Sequence, residues 1–153
     1  MWTLFEHEQF MKAALQEAQK SWKEDEVPVG CVIVQDSRII GQGYNRREQN
    51  SDPTAHAEIL AIRQATEFLK NWRLIETTLY VTLEPCLMCA GAIILARIPH
   101  LVFGTLDPKG GVCVSLMNAF KLPVNHKVEV ISGILANECG SLLTAFFQQK
   151  RKK

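Results

Sequence analysis

The tripeptide His56-Ala57-Glu58 and the segment Pro85-Cys86-Leu87-Met88-Cys89, which begins 27 residues after Glu58, constrain this chain more than any other feature in it. Cys86 and Cys89 are three residues apart, close to one helical turn, so both sulfurs can lie on one side of a helix end and reach a common ion. With His56 they supply one imidazole and two thiols. Three such ligands suit zinc and leave its fourth position open, as in a catalytic site; a structural site would be closed by a fourth side chain. Glu58, two residues past the histidine, can face a water at that open position without being a ligand itself. Spacing alone does not bring residue 56 to residues 86–89, so the fold has to.

The rest of the chain sets the bounds on that fold. Its 153 residues are 47% hydrophobic and 22% charged, values of an ordinary globular chain, and they lead us to expect a single domain over 1–153. No apolar run approaches the roughly 20 residues of a membrane span. Glu6 and Glu8 stand where a secretory leader would carry basic residues, and a cytoplasmic location is expected. Five cysteines, an odd number with one close pair, favour metal binding over a disulfide framework in such a chain. A formal charge of +1 provides no global field for nucleic acid, so any polyanion contact must be local. The one dense basic run is the short C-terminal tail Lys150-Arg151-Lys152-Lys153.

Periodicity gives the elements. Met11, Ala14, Leu15, Ala18 and Trp22 recur at helical spacing, which predicts an amphipathic helix over 5–23. Residues 29–35 and 39–44 are short apolar runs around the hairpin signal Asp36-Ser37-Arg38. After a polar loop, Thr54 precedes a helix in which Ile59, Ile62, Ala65 and Leu69 share a face. Residues 78–83 read as a buried strand, and Pro85 stands where a first helical turn tolerates proline. The helix from Cys86 to about Arg97 is apolar on nearly every side, which predicts that it is packed within the domain. Short strands at 101–104 and 128–131 follow, and Leu135, Cys139, Leu142, Leu143 and Phe146 complete a last amphipathic helix. Helices alternating with strands, after an opening hairpin, predict a three-layer α/β/α domain around a central mixed sheet.

The chemistry follows from the donors. His56 and Cys86 fall near helix starts, where partial positive charge stabilises thiolate over thiol. Two thiolates and a neutral imidazole make zinc a weaker acid than three histidines do, so a neighbouring carboxylate has to accept a proton. Glu58 is the available one, and it can return protons to a ring nitrogen and a departing amine. Alone, the C-x-x-C pair would also suit a thioredoxin-like redox motif or two packed cysteines; the H-x-E element and the preceding proline tell against both. His7, His100 and His126 lack metal-like partner spacing and read as surface or satisfied residues. Cys31 and Cys139 read as small core residues. Cys113 stays ambiguous. Gly41-Gln42-Gly43 lacks the third glycine and following helix of a dinucleotide site.

H-x-E followed by P-C-x-x-C is the pattern of the zinc nucleobase deaminases. Over about residues 8–148 the chain closely resembles one branch of them, the bacterial tRNA-specific adenosine deaminases of the TadA type. The strings that carry this are 52–58 (DPTAHAE), 79–86 (LYVTLEPC) and 88–92 (MCAGA), with Val102-Phe103-Gly104, Ser115-Leu116 and Gly133-Ile134-Leu135-Ala136. The resemblance implies a cytidine-deaminase-like fold, a homodimer, one Zn2+ per chain on His56, Cys86 and Cys89, proton transfer by Glu58, and hydrolysis of the wobble adenosine of a tRNA anticodon stem-loop to inosine. It further implies that Asn45 hydrogen-bonds the purine and that Asp107 lies in a loop meeting the anticodon backbone. Leu106, where the family often has arginine, and the bulky Val112-Cys113-Val114 depart from its pattern.

Two rival readings share these residues. One is a free-base or nucleotide deaminase of guanine or cytosine type with the same zinc site, which would not need an aromatic, basic C-terminus. The other is a non-catalytic, zinc-stabilised RNA-binding subunit, which would have a closed four-ligand site or lack Glu58.

Overall fold

Strand alternation builds two cores on the faces of one sheet in the computed structural model, which describes residues 2–152. The strands are β1 (Gly30–Gln35), β2 (Arg38–Tyr44), β3 (Thr78–Leu83), β4 (His100–Thr105) and β5 (Glu129–Ser132). They lie in the order β2-β1-β3-β4-β5. β1 runs antiparallel to β2 and β3, and β3, β4 and β5 are mutually parallel. Because side chains alternate along a strand, Cys31, Ile33, Leu79, Val81, Leu101 and Phe103 fall on one face, and Val32, Val34, Tyr80 and Val102 on the other. The first face packs on helices α2 (Ala57–Leu69) and α3 (Leu87–Leu95), the second on α1 (Leu4–Lys23) and α4 (Ala136–Arg151). The three layers and the mixed sheet are those expected.

Local chemistry fixes the pieces that matter for the site. Asp36 and Ser37 both have positive φ, 50° and 62°, so they form the two-residue turn whose twist matches the hairpin β1–β2. Arg38 is already in the strand. Gly41 and Gly43 of β2, useless as a dinucleotide motif, have a packing role. A Cβ on Gly43 would lie 2.6 Å from the Ala57 carbonyl oxygen, and one on Gly41 2.5 Å from that of Ala61. Glycine there lets α2 lie directly against the sheet edge, and small residues on the helix (Ala57, Ala61, Ala65, all fully buried) complete the close approach. This seats the N-terminus of α2 at the end of β2 that leads to Asn45.

Three expectations need correction. Of the face expected for α2, Ala65 is in the core and Ile62 and Leu69 pack against it, but Ile59 is only half-buried; the glycine contacts bring the stripe Ala57, Ala61 and Ala65 onto the sheet instead. α3 is not enclosed on every side. It packs through Cys89, Ala90 and Ile93, while Leu87 and Leu95 are 62% and 69% exposed and a Cβ on Gly91 would meet nothing. The helix ends at Leu95, and Arg97 takes a left-handed conformation beyond it. The basic terminus is not simply a tail either: Lys150 and Arg151 form the last turn of α4, and Lys150 Nζ lies 2.7 Å from Asp25 Oδ2. Lys153 is outside the described residues. No helix among the described residues is long and apolar enough to cross a membrane.

Candidate active site

The two helix starts that the sequence marks converge. His56 is the N-cap of α2 and Cys86 the N-cap of α3, both with extended backbone. Neither side chain caps its own helix; each turns to the other instead. His56 Nδ1 lies 3.6 Å from Cys86 Sγ and 3.6 Å from Cys89 Sγ. All three donor atoms fall within 4.8 Å of one another, a group able to hold a metal ion. The loop before α2 is fixed by Asp52, whose Oδ1 accepts from the Thr54 amide (2.8 Å) and hydroxyl (2.7 Å). The Arg46 amide donates to the Ala55 carbonyl (3.0 Å), tying the loop to the end of β2.

The donor set suits zinc: one imidazole, two sulfurs and no fourth protein ligand in the group. The electrostatics lean the same way. A hydrogen bond from the Cys89 thiol, and then one from His56, pull the Cys86 thiol well below its ordinary range despite burial. Cys89 is pushed up, chiefly by making that bond and by burial. His56 is raised by its bond to Cys86. With Cys86 biased toward thiolate and Cys89 holding its proton against it, at the starts of two helices, the group is poised to exchange that proton for a cation. Glu58 is nearly fully buried, and burial is the main cause that raises its carboxyl above the usual range. A carboxyl held in that way can both take and return a proton near neutral pH.

These groups line one cavity of about 170 Å³, with Val27, Val29, Asn45, Arg47, Leu83, Glu84 and Asp107 completing its wall. All six residues singled out in the sequence therefore come to one place, Cys89 through the donor group and the others on the cavity. Asn45 is buried. Its Nδ2 lies 3.4 Å from the Val27 carbonyl and its own carbonyl accepts from Ser21 Oγ (3.1 Å). Asp107 Oδ1 accepts from the amides of Lys109 (3.1 Å) and Gly110 (3.2 Å), folding its loop back on itself. A larger depression of about 830 Å³ shares Val27, Arg47, Leu83 and Asp107 with the cavity and continues over Leu106, Lys109, Phe147, Lys150 and Arg151.

Sequence reasoning missed Arg47, Glu26 and Glu84. Glu26, buried, accepts from the amides of Glu48 (3.2 Å) and Gln49 (2.8 Å) and holds the loop after β2. Glu84 holds the loop after β4 in the same way. The one signal for Glu84 was an acid at the end of an otherwise apolar strand. His7 is satisfied by the Tyr80 hydroxyl (2.8 Å) and His126 by the Ile98 carbonyl (2.8 Å), and His100 pairs with Glu129 (3.5 Å). Cys31, Cys113 and Cys139 are buried core residues, and Phe146 packs edge-on to Trp22 at 5.3 Å between centroids.

Comparison with known proteins agrees with this geometry. The model of the MafB19-like deaminase family matches residues 5–151. The tRNA-specific adenosine deaminase of Bacillus subtilis (strain 168) is 50% identical over 147 residues, 95% of this chain and 91% of that protein. That of Streptococcus pyogenes serotype M18 (strain MGAS8232) is 46% identical over 153 residues, 99% and 96% of the two chains. A structure solved in studies of A-to-I editing by tRNA:A34 deaminases at the wobble position of transfer RNA superimposes with a TM-score of 0.85 at 47% identity, covering 88% of this chain and 98% of that one. Close likeness over nearly the whole length, on a fold that assembles the donor group, places this chain in the deaminase family as one of the tRNA-specific adenosine deaminases.

Proposed function

We propose that this chain hydrolyses the wobble adenosine of a tRNA anticodon to inosine, using one zinc ion held by His56, Cys86 and Cys89. Water adds at C6 of the purine, the C6–N6 bond breaks and ammonia leaves. Held by His56, Cys86 and Cys89, zinc would supply the Lewis acidity that lowers the pKa of a water toward neutral pH. Glu58 takes the proton from the attacking water and passes it to the ring nitrogen N1; it then takes the proton of the hydroxyl formed at C6 and gives it to the amine as the C6–N6 bond breaks, leaving the C6 carbonyl. Asn45 fixes the purine by hydrogen bonding. Asp107, which can only accept hydrogen bonds, suits the ribose 2′-hydroxyl of the anticodon backbone, the donor that distinguishes RNA from DNA.

The observation that carries this reading is the small cavity opening onto a cationic depression. A cavity of about 170 Å³ beside Glu58 suits a single base, and an enzyme acting on a base within a polymer has to take that base out of its stack. The adjoining depression with Arg47, Lys109, Lys150, Arg151 and Phe147 offers cations for phosphates and a ring for stacking, features a free-base enzyme has no use for. The chain works as one deaminase domain in the cytoplasm. It forms a homodimer, supported by the apolar stripe Leu87, Gly91, Leu95 at i, i+4, i+8 on α3, which a second copy would cover.

The test is turnover. Incubated with an anticodon stem-loop and, separately, with free bases and nucleosides, the protein should form inosine in the RNA; turnover of guanine or cytosine with none in RNA would refute the reading. His56→Ala, Cys86→Ala and Cys89→Ala should each lose the metal. A stoichiometric ion retained in both cysteine variants would overturn the ligand assignment.

A further inference from the structure

Glu84 takes no part in the chemistry above, yet five donors of one loop converge on it. It stands between β3 and Pro85 and is buried. Its Oε2 accepts from the amides of Cys113 (2.9 Å), Val114 (2.7 Å) and Ser115 (2.9 Å). Its Oε1 accepts from the Asp107 amide (3.0 Å) and the Ser115 hydroxyl. A carboxylate has about four lone-pair sites and no donor, so these partners fill it; although Glu84 lines the cavity, it has no free acceptor for a substrate and acts on one through the loop it holds.

That loop needs an anchor. The connection from β4 to the parallel β5 contains no α-helix, only a single turn of 3-10 helix at Ala119–Lys121, and its amides must find partners outside regular structure. The anchor is approached closely. A Cβ on Gly111 would lie 2.2 Å from the Glu84 carboxyl carbon, so a residue without a side chain stands there. The Gly111 amide donates to the Asp107 carbonyl (2.9 Å), and Asp107 Oδ1 holds the amides of Lys109 and Gly110. Residues 107–115 are thus knitted to themselves and fastened to the sheet at Glu84.

We propose that Glu84 is a positioning residue for the substrate: by accepting the loop's amides it sets where Asp107 stands relative to Glu58 and the metal-capable group. A loop ordered before binding does not charge its ordering entropy against affinity. The consequence is a separation of parameters, because Glu84 acts on the wall of the pocket and leaves the reacting groups alone. This inference rests on the proposed function for the identity of the substrate.

The test is Glu84→Gln in the full-length, metal-loaded protein. Glutamine keeps the shape but replaces one acceptor oxygen by an amide donor. With its oxygen turned to residues 113–115, its NH2 group faces the Asp107 amide, donor against donor, while the Ser115 hydroxyl can rotate to accept. Loss of a hydrogen bond to a charged acceptor predicts a rise in KM for an anticodon stem-loop of about ten- to a hundredfold, with kcat and zinc content close to the parent. Hydrogen exchange should speed up at the Asp107 amide. Asp107→Ala should cost much less in the Glu84→Gln background than in the parent, as expected for two changes acting on one element. A parent-like KM, or a loss of kcat accompanied by loss of zinc, would overturn the assignment. Should Glu84→Gln not fold, Ser115→Ala removes one donor only and should raise KM by a smaller factor; an unchanged KM there overturns the proposal equally. A parent protein that forms no inosine in RNA would defeat the functional reading, and Asp107 exchange would still decide the role of Glu84.

Discussion

Two buried glutamates line the same cavity, and their carboxyl groups are shifted in opposite directions. Glu58, in the first turn of α2, is raised, mainly by desolvation; the hydrogen bonds from its own amide and from Cys89 are not enough to offset it. Glu84, at the end of β3, is desolvated too, but hydrogen bonds from the Ser115 hydroxyl and the amides of Ser115, Asp107 and Val114 outweigh that and bring it down to about 2. Donors decide the difference. A carboxylate saturated with donors stays ionised and serves as a structural anchor, whereas one left short of them can exchange a proton at physiological pH. Paired carboxyl groups pushed apart in this way are how one pocket separates chemistry from scaffolding.

The strongest attempt to break this contrast is Glu58→Gln. Glutamine keeps the shape and can still hydrogen-bond a water, but it cannot take a proton. General acid–base catalysis contributes about 10²–10⁴-fold, and one carboxyl here serves several transfers, so single-turnover inosine formation should fall by about 10⁴ or more. Zinc content and RNA affinity should match the parent. Near-normal inosine formation would remove Glu58 from the chemistry, and lost zinc would make it a ligand.

Acid unfolding separates the two residues by sign. Glu84 is lowered in the folded protein, so its contribution to stability is complete above the unfolded value near 4.3 and is lost as pH falls through about 2. That window amounts to roughly 3 kcal/mol. Denaturant unfolding of the metal-free protein should therefore show the parent losing stability on acidification from pH 5 to pH 2, and Glu84→Gln losing less. Glu58 is raised, so its ionisation opposes folding above its unfolded value. Glu58→Gln should then be at least as stable as the parent at neutral pH, while Glu84→Gln is less stable by a few degrees in Tm. Two substitutions of equal size shifting stability in the same direction would erase the distinction.

Much of this was legible in the sequence because it is periodic or chemically explicit. Strand alternation and helical stripes gave the layers, and the donors His56, Cys86 and Cys89 announced themselves by type and spacing. What stayed hidden depends on contacts between distant segments. Glu84 is bonded to residues 23 to 31 positions away, and no local pattern encodes five donors meeting on one carboxylate. The helical stripe of α2 put Ile62, Ala65 and Leu69 on the core side, but it gave no sign that the glycines of β2 bring Ala57 and Ala61 directly against the sheet while Ile59 stays half-buried. α3 misled in a different way: an all-apolar helix reads as enclosed, but Leu87 and Leu95 face outward.

The smallest effect expected concerns the cationic side of the depression, the part of the site farthest in role from Glu58. Lys150 is partly engaged: it pairs with Asp25 at 2.7 Å and its ammonium lies 5.8 Å from the Phe146 ring centroid. Both partners of that pair are substantially exposed, so the pair adds little to stability. Lys109 and Arg151 are exposed on the depression and are the cleaner probes. A cation that neutralises a phosphate of single-stranded RNA releases counterions and adds roughly 0.7 to the slope of log affinity against log salt. Lys109→Gln and Arg151→Gln should each weaken stem-loop binding a few-fold and flatten that slope by about this amount, and the two reductions should add. The rate at saturating RNA should not change, since neither residue lines the cavity that contains Glu58. A slope unaltered in both variants would mean that these cations face solvent only, and the path of the RNA would have to lie elsewhere on the rim.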